Sequence, residues 1–170
     1  MQRVMIIGSP GAGKSSLARK LAALAGLPLR HLDAEYWLPG WTEREPAAWQ
    51  DRLAALVAEE RWIIDGNYGG SLAMRAERAD TVIFLDYPTA LCLWRAVKRI
   101  VTTYGKVRAD SALGCPEQFD PAFLAYIALF RSRKRAKIAR LIELFRGKTL
   151  HFTRPSQADV WLAGLAGRKR

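Results

Sequence analysis

Residues 8–15 read Gly-Ser-Pro-Gly-Ala-Gly-Lys-Ser, a full match to the pattern G-x-x-x-x-G-K-[ST]. Such spacing suits one task. Gly8, Gly11 and Gly13 let backbone N–H groups turn inward as an anion nest, with no side chains in the way. Ser9, Pro10 and Ala12 complete the loop, and a helix opening at its end, through Ser15 and Ser16, adds the positive end of its dipole. Lys14 is then placed to reach the β- and γ-phosphates of a nucleotide, and the Ser15 hydroxyl to meet Mg²⁺. ATP and Mg²⁺ are the expected ligands. A second requirement is acids on the same side. Asp65 closes the apolar run WII and precedes Gly66, the pattern of a strand-end acid that holds the metal directly or through water. Asp33 follows the short run 29–32 and is the candidate for holding, or taking a proton from, an acceptor hydroxyl. Its alternative is a structural turn aspartate. Asp86 repeats the pattern before Pro88, where it serves equally well as a helix cap.

These residues need elements to bring them together. Short apolar or β-branched runs recur as VMII (4–7), LRHL (29–32), WIID (62–65), TVIFL (81–85) and TLHF (149–152), with helical patterns between them. That alternation predicts an α/β fold with a parallel sheet covered by helices, whose ligands gather at the C-terminal strand edge. Helices are expected after the glycine loop, over 46–59, from about Pro88 to Thr103 and over 132–146. In the third, Ala90, Trp94, Val97 and Val101 form the apolar face, with Arg95, Lys98 and Arg99 opposite. Ser156 and Asp159 predict the cap of a last helix. Residues 104–121 show no period and are rich in turn formers, so a functional or mobile loop is expected. Trp37 and Trp41 are read first as packing for a short insert, and second as stacking partners for a ring.

Half of the 170 residues are hydrophobic and a quarter charged, ordinary for one globular domain. No apolar run approaches the ~20 residues a membrane helix needs, and neither a secretory signal nor a disulfide framework is legible, so a cytoplasmic protein is expected. The net charge of +11 is uneven. Residues 1–90 carry 10 Lys/Arg and 11 Asp/Glu, a net of −1, whereas 91–170 carry 17 and 5, a net of +12. The basic half predicts an anionic partner: nucleotide, phosphorylated metabolite or nucleic acid. The terminal GRKR is expected to fray.

Read in order, GSPGAGKSS, HLDAEYW, WIIDGNY, RAERADTVIFLDYP, LCLWRAVKR and GCPE resemble the small adenylate-kinase-like P-loop proteins of the FlaR type, which carry the label of DNA topology modulation proteins. The resemblance spans about residues 3–160. It implies a five-stranded parallel sheet in the order 2-3-1-4-5, an acceptor-binding insert over 34–60 and a basic lid over 95–135. WIIDGNY is similar to the adenylate kinase segment that continues D-G-F-P-R, and Asp65 matches its acid. The proline and arginine are replaced by Tyr68 and Gly69, which puts an AMP acceptor in doubt. Arg75 or Arg78 is the candidate replacement cation, with Asn67 and Tyr68 as pocket walls. Arg95 and Arg99 match the R-x-x-x-R of the lid, and Arg154 in Thr-Arg-Pro is similar to the segment beside the adenine. The resemblance implies transfer of the ATP γ-phosphate to a small acceptor: a nucleoside, nucleotide or metabolite alcohol. Two alternatives stand beside it. One is a nucleic-acid-associated protein that uses RSRKRAKIAR (131–140), which carries no recognisable DNA-binding motif. The other is a slow NTPase switch.

Overall fold

The computed structural model describes residues 1–167; the GRKR expectation lies largely outside them, at 168–170. Five strands form the central parallel sheet: β1 (Arg3–Gly8), β2 (Leu29–His31), β5 (Trp62–Asp65), β6 (Thr81–Leu85) and β7 (Lys148–Phe152). Their spatial order is β2-β5-β1-β6-β7. Counted among themselves in chain order they run 2-3-1-4-5, as the resemblance implied. β1, β5 and β6 are almost wholly buried and read as unbroken apolar runs, because helices cover both faces of the sheet. One face packs on α1 (Lys14–Ala25) and α7 (Pro155–Gly167), with Ile6, Leu21, Ile63 and Leu162 in that core. The other packs on α3 (Pro46–Ala58) and α4 (Leu72–Arg78), with Met5, Leu53, Trp62 and Phe84.

Residues 32–45 hold the short α2 (Leu32–Tyr36) and an antiparallel pair, β3 (Trp37–Leu38) and β4 (Thr42–Glu43). Tyr36, Trp37 and Trp41 meet edge to face, with ring centroids 5.1 Å (Tyr36–Trp37) and 5.6 Å (Trp37–Trp41) apart. The packing reading of the tryptophans therefore has direct contacts behind it.

Three helix expectations need correction. In α5 (Thr89–Thr103) the buried positions are Cys92, Ala96 and Ile100, while Trp94, Val97 and Val101 are exposed. At the start of the helix the cause is steric: α5 lies so close to the glycine loop that a Cβ on Gly11 would run into the Cys92 carbonyl, so the small Cys92 faces inward there. The helix expected over 132–146 is α6, Pro121–Leu144. Asp120 accepts from the Ala122 backbone N–H at 2.8 Å and Pro121 sits at the first helical position, a start signal that the long loop obscured. At α7 the capping oxygen is the Gln157 side chain, which accepts from Thr153 N and Arg154 N at 2.8 and 3.1 Å; Ser156 lies inside the helix. No helix among the described residues is long and apolar enough to cross a membrane.

Candidate active site

The C-terminal ends of β1, β2 and β5 open into one cleft of about 1010 Å³, lined by the glycine loop, by His31, Asp33, Asp65, Asn67 and Tyr68, and by residues of α5 and α6. That volume lies at the upper end of the ~300–1,000 Å³ range of ligand sites, enough for two small molecules.

The loop floor is shaped for an anion. Gly11 and Gly13 take φ of 80° and 93°, the left-handed region, and α1 starts immediately afterwards with neither a side-chain cap nor an acid in its first turn. The N–H groups of that turn therefore need a ligand or water. Gly11 also has no room for a side chain against Cys92. Pro10 through Ser16 line the cleft, whereas Gly8 and Ser9 lie beneath it. Lys14 Nζ donates to the Ser9 carbonyl at 3.1 Å, and burial lowers its pKa against the opposing charges of Asp33 and Asp65.

On the opposite wall, strand register does the positioning. His31 and Asp65 are register partners on adjacent parallel strands, so their side chains share a face, and His31 Nδ1 lies 2.6 Å from Asp65 Oδ1. Burial alone would lower the His31 pKa, but the hydrogen bond and charge of Asp65 outweigh it and raise the value. His31 is not among the residues singled out in the sequence, because its pairing with Asp65 depends on the register between two strands. Asp33 sits in α2 and accepts from the Tyr68 hydroxyl at 2.9 Å. The open cleft leaves Asp33 accessible to solvent. Even so, desolvation by the surrounding protein pushes its carboxyl above the usual value, against Lys14 and Tyr68, which act the other way.

Asn67 reaches back to the loop, its Oδ1 accepting from Gly8 N at 3.1 Å. Tyr68 holds φ of 33°, an uncommon conformation for a bulky residue and a form of strain that needs support. The support is Arg75. Its guanidinium donates to Ser71 Oγ at 3.0 Å, Gly66 O at 2.9 Å and Asn67 O at 2.5 Å, and the residue is fully buried. Burial drives its pKa down to about 9. Arg75 thus does not face the cleft, contrary to its expected role as acceptor cation. It fixes the turn that carries Asn67 and Tyr68. Arg78, the other candidate, is exposed and turns toward Ala58 O and Glu60.

Arg95, an expected lid residue, has its Nη1 donating to the Ala12 carbonyl at 3.3 Å, at the loop. Arg99 also lines the cleft but is engaged by Glu117, Nε to Oε2 3.0 Å. Arg108 shares that oxygen at 3.0 Å and reaches Asp110 at 3.5 Å. Asp110 stands beside the Ser15 hydroxyl and within 3.9 Å of Arg19, and the combined effect of Arg108, Ser15 and Arg19 lowers its pKa although burial would raise it. Asp110 and Glu117 were not singled out in the sequence. They are two of only five acids in the basic half, and that scarcity was the available signal. Arg154 is exposed in the turn before α7 and is not part of the cleft lining, although Pro155 and Ala158 are. Asp86 faces away from the cleft and binds α6 to the sheet through Arg135 (2.8 Å), Arg131 (3.3 Å) and His151 (3.3 Å). Two cations of RSRKRAKIAR are therefore committed to an internal contact.

The donors a Mg²⁺ ion would meet beside the loop are the Ser15 hydroxyl and the carboxylates of Asp65 and Asp110, all hard oxygen ligands of the kind that ion takes.

No family model matches the chain, and no curated protein does, so the topology-modulation resemblance rests on the sequence motifs alone. Solved structures do match over nearly the whole length. Shikimate kinase from Bacteroides thetaiotaomicron aligns with a TM-score of 0.59 at 16% identity, covering 99% of this chain and 98% of that one. Shikimate kinase from Acinetobacter baumannii, solved with shikimate, gives 0.55 at 19%, covering 99% and 95%. A gluconokinase from Sinorhizobium meliloti gives 0.53 at 17%, covering 99% and 95%. At such identities the likeness is one of fold: the chain has the P-loop kinase architecture.

Proposed function

We propose that the protein is a phosphotransferase that moves the γ-phosphoryl group of ATP to a hydroxyl of a small acceptor. The observation that carries this reading is that one cleft holds an anion nest on one wall and the Asp33 carboxylate on the other. The acceptor oxygen attacks the γ-phosphorus as the bond to the β-bridging oxygen breaks, ADP leaves, and the hydroxyl proton passes to the Asp33 carboxylate. Desolvation by the surrounding protein, which raises its pKa, suits Asp33 to that proton. Lys14 and the N–H groups of the loop hold the β- and γ-phosphates, and Arg95, beside Ala12, is placed to neutralise charge on the transferring group. Ser15 and Asp65 would hold Mg²⁺, directly or through water, and the ion would supply charge neutralisation. His31 fixes the orientation of Asp65, and Arg75 fixes Asn67 and Tyr68, so the wall is set before ligands arrive.

The test separates the two walls. In calorimetry, Lys14→Ala loses ATP binding. Asp33→Asn keeps ATP binding and loses transfer by about 10²–10⁴-fold, the usual reach of general acid–base catalysis. ATP affinity unchanged by Lys14→Ala would remove the nucleotide site from this cleft.

A further inference from the structure

The chemistry of the acceptor wall narrows what it can receive. Among the described residues lining the cleft, the lysines and arginines are Lys14, Lys20, Arg95, Arg99 and Arg108. Lys14 and Arg95 belong to the phosphate loop, where they touch the Ser9 and Ala12 carbonyls. Lys20 sits on α1 with its amine 3.8 Å from Asp159 of α7. Arg99 and Arg108 converge on the buried Glu117, and Arg108 also meets Asp110. Arg108 is close enough to act on Asp33 through its charge, but its guanidinium is held in place by Glu117, which it shares with Arg99, and by Asp110, which it shares with Arg19. Arg75, the arginine that follows β5, is buried against backbone carbonyls. The groups facing an acceptor are therefore acids and aromatic rings. Asp33 is partnered by Tyr68, and Asp65 by His31. Tyr126 of α6 stands beside Asn67 and within electrostatic reach of Asp33, and Trp37 and Trp41 line the same cleft.

Resting on the phosphotransferase reading, we infer that the acceptor is an uncharged hydroxyl-bearing ring compound, a free sugar or a nucleoside, and carries no carboxylate or phosphate of its own. An anionic acceptor would bring like charge toward Asp33, where the nearest guanidinium, that of Arg108, is tied to Glu117 and Asp110, and like-charge juxtaposition in a partly desolvated site is strongly discriminating. A neutral ring instead meets hydrogen-bonding groups at Asp33, Asn67 and Tyr126 and apolar area at the tryptophans. The wall thereby turns away a substrate that must be held by its charge.

The experiment uses matched pairs that differ in charge: adenosine and adenosine 5′-monophosphate, glucose and glucuronate, and methyl shikimate and shikimate. Phosphoryl transfer from ATP-Mg is followed by mass spectrometry, and binding of each compound to the protein holding a non-hydrolysable ATP analogue is followed by calorimetry. The inference expects the neutral member of a pair to exceed its anionic partner by about tenfold or more in kcat/KM and in affinity. The sugar and nucleoside arms tell which ring is taken. Preference for the anionic member, or equal use of both, would overturn the inference while leaving the phosphotransferase reading intact. Tighter binding of the neutral members than of their anionic partners, without transfer to any of them, would uphold the charge preference of the wall and sink that reading. Failure of every neutral compound to bind or react would overturn the inference.

Discussion

The residue with the largest gap between its expected and observed role is Arg75. An arginine a few positions after a strand-end acid invites assignment to a ligand, yet its three hydrogen bonds run to Ser71, Gly66 and Asn67 inside the protein. Arg75→Ala is expected to destabilise the fold by about 2–4 kcal/mol, because buried carbonyls lose charge-assisted partners and a cavity opens. Denaturant unfolding reads that loss, and a variant as stable as the parent would refute the anchoring role. Other residues at this scale were legible in different degrees. The loop, with Lys14 and Ser15, could be read from spacing alone because a local backbone pattern encodes it. Asp33 and Asp65 could be read from strand ends. His31 could not, since its significance lies in a register between strands 34 positions apart in sequence. The partners of Glu117 were hidden for the same reason: Arg99 and Arg108 meet it through a loop without periodicity.

At the scale of elements, strand positions and order were legible because buried parallel strands write themselves as short apolar runs. The helix faces were less so. The pattern in α5 presents two candidate stripes, and hydrophobicity favoured Trp94, Val97 and Val101. The face observed is Cys92, Ala96 and Ile100, and at Cys92 it follows the close approach of the loop at Gly11, a tertiary constraint that no local pattern carries. Two substitutions check it. Ala96→Leu should cost about 1–3 kcal/mol by overpacking, whereas Trp94→Ser should stay within about 0.5 kcal/mol as an exposed change; the reverse ranking in thermal unfolding would restore the sequence-based face. A second element-level device sits at the sheet's opposite end. Asp80 accepts from Gln2 N at 2.6 Å, Arg3 N at 3.0 Å and Thr81 Oγ1 at 2.7 Å, so one carboxylate ties the start of β1 to the start of β6. Burial would raise its pKa, but these donors lower it below the ordinary value. A depressed folded pKa gives stability that is present above the unfolded value of about 3.9 and is lost as pH falls through the folded one. Asp80→Ala should therefore cost about 1–2 kcal/mol at neutral pH, with the gap from the parent closing below pH of about 4. A gap independent of pH would contradict the assignment.

For the whole molecule, the uneven charge acquires a structural reading. The basic half is not one free surface. Arg131 and Arg135 bind α6 to Asp86, Arg99 and Arg108 gather around Glu117, and Arg95 reaches the phosphate loop. Such placement fits a nucleotide cleft assembled from both halves of the chain, with the nest from the first and the cations from the second. Under the proposed function this cleft moves the γ-phosphoryl group of ATP onto a hydroxyl. The most direct measurement is a mass balance: ATP-Mg with the acceptor panel, ADP quantified alongside phosphorylated acceptor and inorganic phosphate. ADP and phosphorylated acceptor are expected in equal amounts, both lost in Lys14→Ala. ADP matched by inorganic phosphate, with every acceptor unchanged, would contradict that function.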